Sequence, residues 1–260
     1  MLAGKTAVIT GSTSGIGQGI ARSLAEQGVN IVLNGFGDKD EIEADRVKLA
    51  EDTGVNVLYH AADMTKSDEI ADLISFSVDK FGSIDVLVNN AGIQFVAPID
   101  EFPEQKWDAI IAINLSSSFH TIRHALPHMR KQGWGRIVNL ASAHAIVASP
   151  YKSAYVAAKH GIAGLTKTVA LEAADQGITC NAVCPGYVWT PLVENQIADT
   201  AEARGISQEE VKTDVLLAAQ PTKQFVTVEQ IGGVVNFLCS DTASNVTGVV
   251  MPVDGGWTAH

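Results

Sequence analysis

The chain has 260 residues, of which 46% are hydrophobic and 18% are charged, a balance typical of a globular protein rather than a disordered one. The formal net charge of −11 at pH 7 argues against a nucleic-acid-binding surface, which would need a basic face. No apolar run is long enough to cross a bilayer, and the N-terminal residues do not resemble a signal peptide. We therefore expect one domain, residues 1–260, in a cytoplasmic protein without nucleic-acid or membrane partners.

Short apolar runs alternate with longer amphipathic segments along the chain. Strands are predicted near residues 5–10, 30–34, 56–60, 85–89, 135–140, 178–183 and 248–252, and helices near 15–28, 40–52, 67–81, 104–131, 153–175 and 227–239. Continuous apolar strands separated by helices indicate an α/β fold with a doubly wound parallel sheet and helices on both faces. A polar, mostly helical insertion at about 190–221 is the natural place for a lid over the strand ends.

A glycine-rich turn follows the first predicted strand. Gly11, Gly15 and Gly17 stand in the segment TGSTSGIG, directly before a helix. Glycine lets the backbone turn tightly and approach a ligand, and the helix N-terminus offers free N–H groups to a pyrophosphate. A strand–helix turn without a ligand is the alternative, but the strand, glycine turn and helix in this order favour a dinucleotide site.

The second strand ends at Asn34, followed by Gly35 and Phe36. Dinucleotide-binding folds often place an acidic residue here to hold the adenosine ribose. The nearest acid is Asp38, and Lys39 is the nearest cation. Because a 2′-phosphate would need a cation in the glycine loop or directly after the strand, the pattern predicts NAD rather than NADP. Phe36 could then pack on the adenosine side.

Two further segments follow strand ends that would face the same cofactor. Asp63 is a candidate acceptor for the adenine amino group, and an N-cap-like turn role is an equal alternative. Asn90, Ala91 and Gly92 end the fourth strand, where small residues and amides would let a cofactor pass over the sheet edge.

The segment from residue 137 to residue 161 contains a strand, a loop and a helix. Ser142 ends the strand, and Tyr155 and Lys159 lie four residues apart on the helix, which places them on one face. A cation held nearby lowers the pKa of a phenol from its ordinary value of about 10. With Ser142 as a hydrogen-bond partner for a substrate oxygen, this set predicts proton transfer at a hydroxyl or carbonyl group. A Tyr–Lys pair alone is common on amphipathic helices, so the prediction depends on a cofactor site elsewhere.

The long predicted helix 104–131 contains two unusual features. His120, His124 and His128 are spaced one turn apart, but zinc sites normally add a carboxylate or cysteine ligand, so we predict surface or interface histidines and no metal site. Asn114 is a poor mid-helix residue unless its side chain or a local bulge is used.

The motifs TGSTSGIG at 10–17, NNAG at 89–92, Asn114, Ser142, Tyr155 with Lys159, and Pro-Gly at 185–186 occur in this order. Together they resemble the short-chain dehydrogenase/reductase family over essentially the whole chain. The resemblance implies a Rossmann-type sheet of seven strands, a nicotinamide cofactor and a homotetramer. It also implies that Tyr155 is the acid/base, Ser142 orients the substrate oxygen, Lys159 lowers the pKa of Tyr155 and holds the nicotinamide ribose, and Asn114 holds a water.

The cofactor site implied by this resemblance combines the segments described above with the loop after the sixth strand. Its residues are Gly11, Thr13, Ser14, Gly15, Ile16, Gly17, Phe36, Asp63, Asn90, Ala91, Gly92, Tyr155, Lys159, Pro185, Gly186, Val188 and Thr190.

Three segments, GIQ at 92–94, SAHAIVASPYKSAYVAAKHG and DGGWTAH, resemble the bacterial members of the family that act on D-3-hydroxybutyrate. The resemblance implies reversible NAD-dependent oxidation of (R)-3-hydroxybutyrate to acetoacetate. A small hydroxy acid needs a partner for its carboxylate, and Lys152 and His144 could supply positive charge. Tyr187 stands where a tryptophan is usual. The implied substrate-binding residues are Gln94, Ser142, His144, Lys152, Tyr155, Tyr187, Gln196 and Trp257.

Several alternatives stay open from the sequence. Taken singly, Lys152 is more simply a solvated lysine at a helix start, and His144 a partner in a loop hydrogen bond. A reductase of 3-oxoacyl thioesters would prefer NADPH and an open pocket without a carboxylate clamp. A non-catalytic dinucleotide-binding regulator would typically lose one of the four implied catalytic residues.

Overall fold

A parallel sheet forms the centre of the protein. The computed structural model describes residues 2–190, 193–194, 197–198, 201 and 205–259. Within them the sheet has seven strands in the order β3-β2-β1-β4-β5-β6-β7, and each neighbouring pair is parallel. The strands are β1 (Thr6–Ile9), β2 (Asn30–Asn34), β3 (Val57–His60), β4 (Val86–Asn89), β5 (Gly135–Leu140), β6 (Ile178–Pro185) and β7 (Val250–Val253).

Helices connect successive strands. They are α1 (Gly15–Ala25), α2 (Lys39–Thr53), α3 (Ser67–Phe81), α4 (Glu104–Ile111), α5 (Ser117–Gln132), α6 (Ser153–Ala173) and α7 (Val228–Cys239). The predicted helix 104–131 is interrupted by a π-helix, Ala112–Ser116, between α4 and α5. Asn114 lies inside that π-helix, which agrees with the bulge that its position suggested.

Alternation along β1 explains why helices cover both faces of the sheet. Ala7 and Ile9 belong to the apolar cluster that includes α1 and α7, whereas Val8 belongs to the cluster that includes α3 and α5. All three side chains are fully buried. Successive side chains of a strand point to opposite faces, so a strand that is apolar throughout needs cover on both. The predicted α/β, doubly wound architecture is confirmed.

The strand order reverses between β1 and β4. Connections from these two strands leave in opposite directions, which opens a crevice beyond their carboxyl ends. The glycine-rich turn lies at that edge after β1, and Asn90 lies there after β4. Ser142 follows β5 and Gly186 follows β6 at the same edge. The topology therefore brings the predicted site residues to one side of the sheet.

Helices α1 and α7 approach closely because each presents a glycine to the other. A Cβ on Gly19 would lie 2.8 Å from Cβ of Val228, and a Cβ on Gly232 would lie 2.7 Å from Cβ of Ser23. We expect Gly232→Ala to lower the free energy of unfolding by about 1–3 kcal/mol, the usual cost of overpacking. Denaturant unfolding measures this, and Gly233→Ala, which meets nothing within 4 Å, is the control. Equal effects of the two substitutions would contradict the prediction.

The insertion at about 190–221 is described in part. Its helical pieces include a single turn at Gln208–Glu210, a π-helix at Val211–Leu216 and a 3-10 turn at Leu217–Ala219. Val211 and Leu216 form a small buried cluster with Ile197, against which Tyr187 packs. The insertion thus contacts the loop that follows β6. In the described ranges, no helix is long and apolar enough to cross a membrane.

Candidate active site

The glycine-rich turn has the geometry of an anion site. Gly11 (φ +60°) and Gly15 (φ +56°) adopt the left-handed conformation that favours glycine. A Cβ on Gly17 would collide with the carbonyl oxygen of Gly11. Helix α1 begins at Gly15 without an acidic residue in its first turn, and its N-cap, Ser14, makes no side-chain capping bond within the described chain. The first N–H groups of α1 therefore suit a phosphate, so the residues fit a dinucleotide.

Two asparagines hold this turn in place. Buried Asn34 donates its amide to the carbonyl oxygens of His60 (3.1 Å) and Ala62 (2.9 Å), and its Oδ1 accepts from the N–H of Gly11 at 3.4 Å. Asn90 donates to the carbonyl oxygens of Thr10 (3.0 Å) and Gly11 (2.7 Å). The side chain of Asn90 therefore supports the turn from behind. Asn34, which no sequence motif singled out, does the same from β2.

The loop after β2 leaves an apolar ring exposed beside the turn. Thr13 Oγ1 donates to the carbonyl oxygen of Phe36 at 3.0 Å, and the Phe36 side chain is 67% exposed. Asp38 accepts from the N–H groups of Asp40 and Glu41 as the N-cap of α2. Asp38, the acid nearest to the end of β2, therefore caps α2. The exposed ring of Phe36 is the side chain that an adenosine could contact.

Asp63 has the turn role that was one of its two predicted alternatives. Its Oδ1 accepts from the backbone N–H of Thr65 at 2.9 Å and from its hydroxyl at 2.8 Å. These bonds, together with Lys66 at 3.7 Å from Oδ2, lower the pKa of the carboxyl group. A contact with adenine stays a prediction.

Ser142, Tyr155 and Lys159 come together between β5 and α6. Ser142 lies close enough to Tyr155 to lower the pKa of its hydroxyl, and Lys159 Nζ lies 5.6 Å from the centre of the Tyr155 ring. Lys159 is buried and donates to the carbonyl oxygen of Leu140 at 2.7 Å. The i, i+4 spacing on α6 therefore directs both side chains toward the end of β5, as the sequence predicts.

The pKa of Tyr155 moves opposite to the predicted direction. Burial raises it above the ordinary value, and this outweighs the lowering by the Ser142 hydrogen bond. Burial also lowers the pKa of Lys159 to about 8. The chain's own groups therefore hold Tyr155 as a neutral phenol at pH 7.

Asn114 stabilises the loop after β4. Its Oδ1 accepts from the backbone N–H of Ile93 at 2.8 Å, and its Nδ2 donates to the Ile93 carbonyl oxygen at 2.9 Å. The side chain of Asn114 thus makes two backbone bonds, and its implied role of holding a water stays a prediction. It fixes the residue next to Gln94, whose own side chain is exposed.

The predicted substrate residues form an aromatic wall beside Tyr155. The rings of Tyr187 and Trp257 stack at 5.7 Å with an interplanar angle of 6°. The His144 ring makes T-shaped contacts with two other rings. Its centre lies 5.1 Å from that of Trp257 and 5.8 Å from that of Tyr155. Lys152 Nζ lies 6.0 Å from the Tyr187 ring centre. These contacts connect Lys152, Tyr187 and Trp257, through His144, to the Tyr155 ring. Gln196 lies outside the described residues.

Two residues that support this wall were missed from the sequence. Asp254 accepts from the N–H groups of Gly256 and Thr258, which fixes the turn that presents Trp257. Buried Gln220 accepts from the N–H of Tyr187. The Asp-Gly-Gly segment is a recognisable turn signal, but nothing local marks Gln220.

His144 does not supply positive charge at neutral pH. Burial, with smaller contributions from Lys152 and His160, lowers its pKa to about 4. Its ring nitrogens lie 3.3 Å from Ser142 Oγ and 2.8 Å from Ser149 Oγ, so it makes the loop hydrogen bonds of the simpler alternative. Burial lowers the pKa of Lys152 as well. With His144 neutral, Lys152 is the remaining candidate of these two residues for pairing a carboxylate.

The low pKa of His144 predicts a loss of stability in mild acid. Between pH 6.5, its ordinary pKa, and about 4, the unfolded chain binds a proton that the folded chain does not. Acidification from pH 7 to pH 5 should therefore lower the free energy of unfolding of both proteins, and the decrease should be about 1–2 kcal/mol larger for wild type than for His144→Gln. Urea unfolding at the two pH values measures this difference. Equal losses in both proteins would show that His144 has the same pKa in the folded and the unfolded chain, which would contradict the prediction.

Comparisons with known proteins agree with this site. A family model described as Enoyl-(Acyl carrier protein) reductase matches residues 11–258. The D-beta-hydroxybutyrate dehydrogenase of Rhizobium meliloti (strain 1021) is 62% identical over 98% of this chain and 99% of its own. That of Cupriavidus necator (strain ATCC 17699) is 54% identical over the full length of both.

The fold has a close counterpart among solved structures. The crystal structure of levodione reductase has a TM-score of 0.90 and 34% sequence identity, covering 99% of this chain and 98% of that one. The matches span nearly the whole chain, including the segments that contain the glycine turn, Ser142, Tyr155 and Lys159. The chain therefore belongs to the short-chain dehydrogenase/reductase family.

Proposed function

We propose that this protein catalyses the reversible NAD-dependent oxidation of (R)-3-hydroxybutyrate to acetoacetate. The observation that carries the proposal is the position of Lys152 beside a proton-transfer pair, Ser142 and Tyr155, in a pocket walled by Tyr187 and Trp257. The names of the two similar relatives support the same substrate.

The family implies a nicotinamide dinucleotide, and we infer that it is NAD. The N-terminus of α1 would bind the pyrophosphate, and Phe36 would lie against the adenosine. The segment 10–17 contains no lysine or arginine to pair a 2′-phosphate. Lys159 would hold the nicotinamide ribose. A bound nicotinamide would supply the acceptor for the hydride of the carbinol carbon.

We propose the remaining cofactor contacts from the resemblance to the short-chain dehydrogenase/reductase family. Beyond the residues just named, they comprise Gly11, Thr13, Ser14, Gly15, Ile16, Gly17, Asp63, Asn90, Ala91, Gly92, Tyr155, Pro185, Gly186, Val188 and Thr190.

Tyr155 moves the proton in this mechanism. In the reduction direction its hydroxyl donates a proton to the keto oxygen, and in the oxidation direction the same oxygen receives the proton of the alcohol. The Ser142 hydroxyl, which lies beside Tyr155, orients the substrate oxygen. Because burial favours the phenol, the protein alone is prepared for reduction, and oxidation should accelerate as the pH rises.

Lys152 selects a carboxylate in this mechanism. A carboxylate that enters a partly dehydrated pocket must be paired, and the Lys152 ammonium is the cation that faces the aromatic wall. Gln94, and Gln196 from the insertion at about 190–221, would add amide donors. Tyr187 and Trp257 would contact the methyl group, and His144 would orient Ser142.

We also infer a cytoplasmic homotetramer in which residues 1–260 form one domain with the insertion as a lid. Large apolar side chains on α4, α5 and α6 are exposed in the single chain, namely Trp107, Phe119 and Leu171, the last at 82%. Such surfaces commonly pack against further copies. Light scattering after size exclusion measures the number of chains.

A turnover assay tests the proposed function. NADH formation should be fastest with (R)-3-hydroxybutyrate, much slower with its (S) enantiomer, and weak when NADP replaces NAD. A 3-oxoacyl thioester with NADPH tests the reductase alternative. Turnover of that thioester alone would refute the proposal, and cofactor binding without turnover of any substrate would favour a non-catalytic role.

A further inference from the structure

Two glycines flank Phe36 in the short loop, residues 35–37, that joins β2 to α2. Gly35 (φ +154°) and Gly37 (φ +156°) both have positive φ values, which residues with side chains rarely adopt. A Cβ on Gly35 would also lie 2.5 Å from Thr13 Oγ1. Because glycine has more backbone freedom than any other residue, this loop needs bonds from outside to keep one conformation.

Two side chains from outside the loop bond its carbonyl groups. Thr13 Oγ1, in the glycine-rich turn after β1, donates to the carbonyl oxygen of Phe36 at 3.0 Å. Tyr59 Oη, from β3, donates to the carbonyl oxygen of Gly35 at 2.7 Å. The backbone on both sides of the Gly35–Phe36 peptide is therefore held. Thr13 is already among the proposed cofactor contacts, whereas Tyr59 has no assigned role so far.

Tyr59 is well anchored for this bond. Its backbone pairs with Leu33 in the register of β2 and β3, and its ring is partly buried against the apolar cluster that includes α1 and α7. Burial raises the pKa of Tyr59, so its hydroxyl stays protonated and can donate at pH 7. A partly buried tyrosine usually finds a partner for its hydroxyl, so stability alone is one role for this bond. Its partner, however, is the carbonyl group directly before exposed Phe36.

We propose that Tyr59 is a positioning residue for cofactor binding, which holds the Gly35 carbonyl group and thereby keeps the Phe36 ring beside the glycine-rich turn, where it packs on the adenosine. This inference rests on the proposed function, because it takes that turn as the dinucleotide site. A ring that is already in place loses less freedom when the ligand binds, and such pre-organisation increases affinity. Tyr59 therefore acts on the adenosine half of the cofactor.

Titration with ADP isolates this half of the cofactor, since ADP contains the adenosine and a pyrophosphate but no nicotinamide. Calorimetry of wild type and Tyr59→Phe gives the two Kd values. Loss of the hydrogen bond to Gly35 should raise the Kd for ADP roughly 3–10-fold. Turnover of 3-hydroxybutyrate at saturating NAD should not fall, because the effect is limited to the binding of the adenosine half.

The matched control is Thr53→Val. The Thr53 hydroxyl also donates to a backbone carbonyl oxygen, that of Leu49 at 2.6 Å, but this bond lies within α2. The substitution removes the same kind of bond without touching the loop at residues 35–37. It should therefore leave the Kd for ADP at the wild-type value.

A double-mutant cycle separates positioning from stability. Phe36→Ala should raise the Kd for ADP roughly tenfold or more, as expected for loss of an aromatic ring packed on a base. If Tyr59 acts through this ring, adding Tyr59→Phe to Phe36→Ala should have little further effect. A role in stability alone would lower the melting temperature and leave ADP binding unchanged.

An unchanged Kd for ADP in Tyr59→Phe would overturn the proposal, and so would additive effects in the double variant. Phe36 is exposed, so Phe36→Ala should fold, and wild-type affinity in this variant overturns the proposal even if Tyr59→Phe does not fold. Failure of wild type to bind ADP would refute the dinucleotide site as well. ADP binding that depends on Tyr59 and Phe36, without turnover of 3-hydroxybutyrate, would refute the proposed substrate and support the role of Tyr59.

Discussion

Tyr155→Phe should reduce kcat by roughly 10³–10⁴-fold while cofactor binding is preserved, at the upper end of what general acid–base catalysis contributes. The substitution removes only the hydroxyl, so the edge contact of this ring with His144, at 5.8 Å, is kept. The proton of the substrate hydroxyl then loses its proposed acceptor. Steady-state kinetics together with a fluorescence titration of the cofactor separates the two effects.

The matched control is Tyr151→Phe. Tyr151 lies four residues earlier in the same segment and is exposed, and it adopts a left-handed backbone (φ +66°) that phenylalanine shares equally. This variant should keep wild-type kcat. Residual activity of Tyr155→Phe above about a tenth of wild type would rule out Tyr155 as the acid/base, since general acid–base groups contribute at least about 10²-fold.

The raised pKa of Tyr155 also predicts how the rates of oxidation and reduction change with pH. Burial raises the pKa of Tyr155, so the phenol form persists into alkaline solution. Oxidation, which needs the phenolate, should accelerate with rising pH, and reduction, which needs the phenol, should slow down. The same profile in both directions would contradict the assignment.

Lys152→Met should raise KM for 3-hydroxybutyrate roughly 100-fold with a smaller effect on kcat, because a lost charged hydrogen bond costs about 1.5–3 kcal/mol. Methionine keeps the apolar stem against Tyr187 and removes only the charge. The neutral methyl ester of acetoacetate should be affected far less than acetoacetate itself. This difference between charged and neutral substrates isolates the role of the ammonium group.

Lys167→Met is the control for Lys152→Met, since Lys167 is exposed on α6, the helix that begins directly after Lys152. It should leave KM unchanged. His144→Gln should not reproduce the charge effect, because burial keeps the pKa of His144 at about 4 and the ring is already neutral at pH 7. If His144→Gln weakened the binding of acetoacetate far more than that of its methyl ester, His144 rather than Lys152 would pair the carboxylate.

The sheet and the Tyr155–Lys159 pair could be predicted from sequence because both follow from local periodicity. An apolar run of four to eight residues predicts a strand, and a four-residue spacing predicts one helix face. The prediction of one continuous helix over 104–131 missed the π-helix, because periodicity reflects only the local sequence. The π-helix at Ala112–Ser116 forms where Asn114 bonds Ile93, a contact between distant segments.

Partners of buried polar groups could not be predicted in this way. Asn34 and Gln220 stand in no motif, yet one holds the glycine turn and the other holds Tyr187. Their importance comes from which backbone groups lack partners once the strands have assembled. That need exists only in the folded protein, since a backbone polar group must be paired when water is excluded.

The sequence by itself determined the α/β architecture, the glycine turn and the presence of Ser142, Tyr155 and Lys159 in one segment. Only the tertiary structure decided that His144 is neutral and that Tyr155 is held as a phenol. These charge states depend on burial beneath Tyr187 and Trp257, which come from the loop after β6 and the turn after β7. Desolvation is a property of the assembled pocket, and residue spacing along the chain does not contain it.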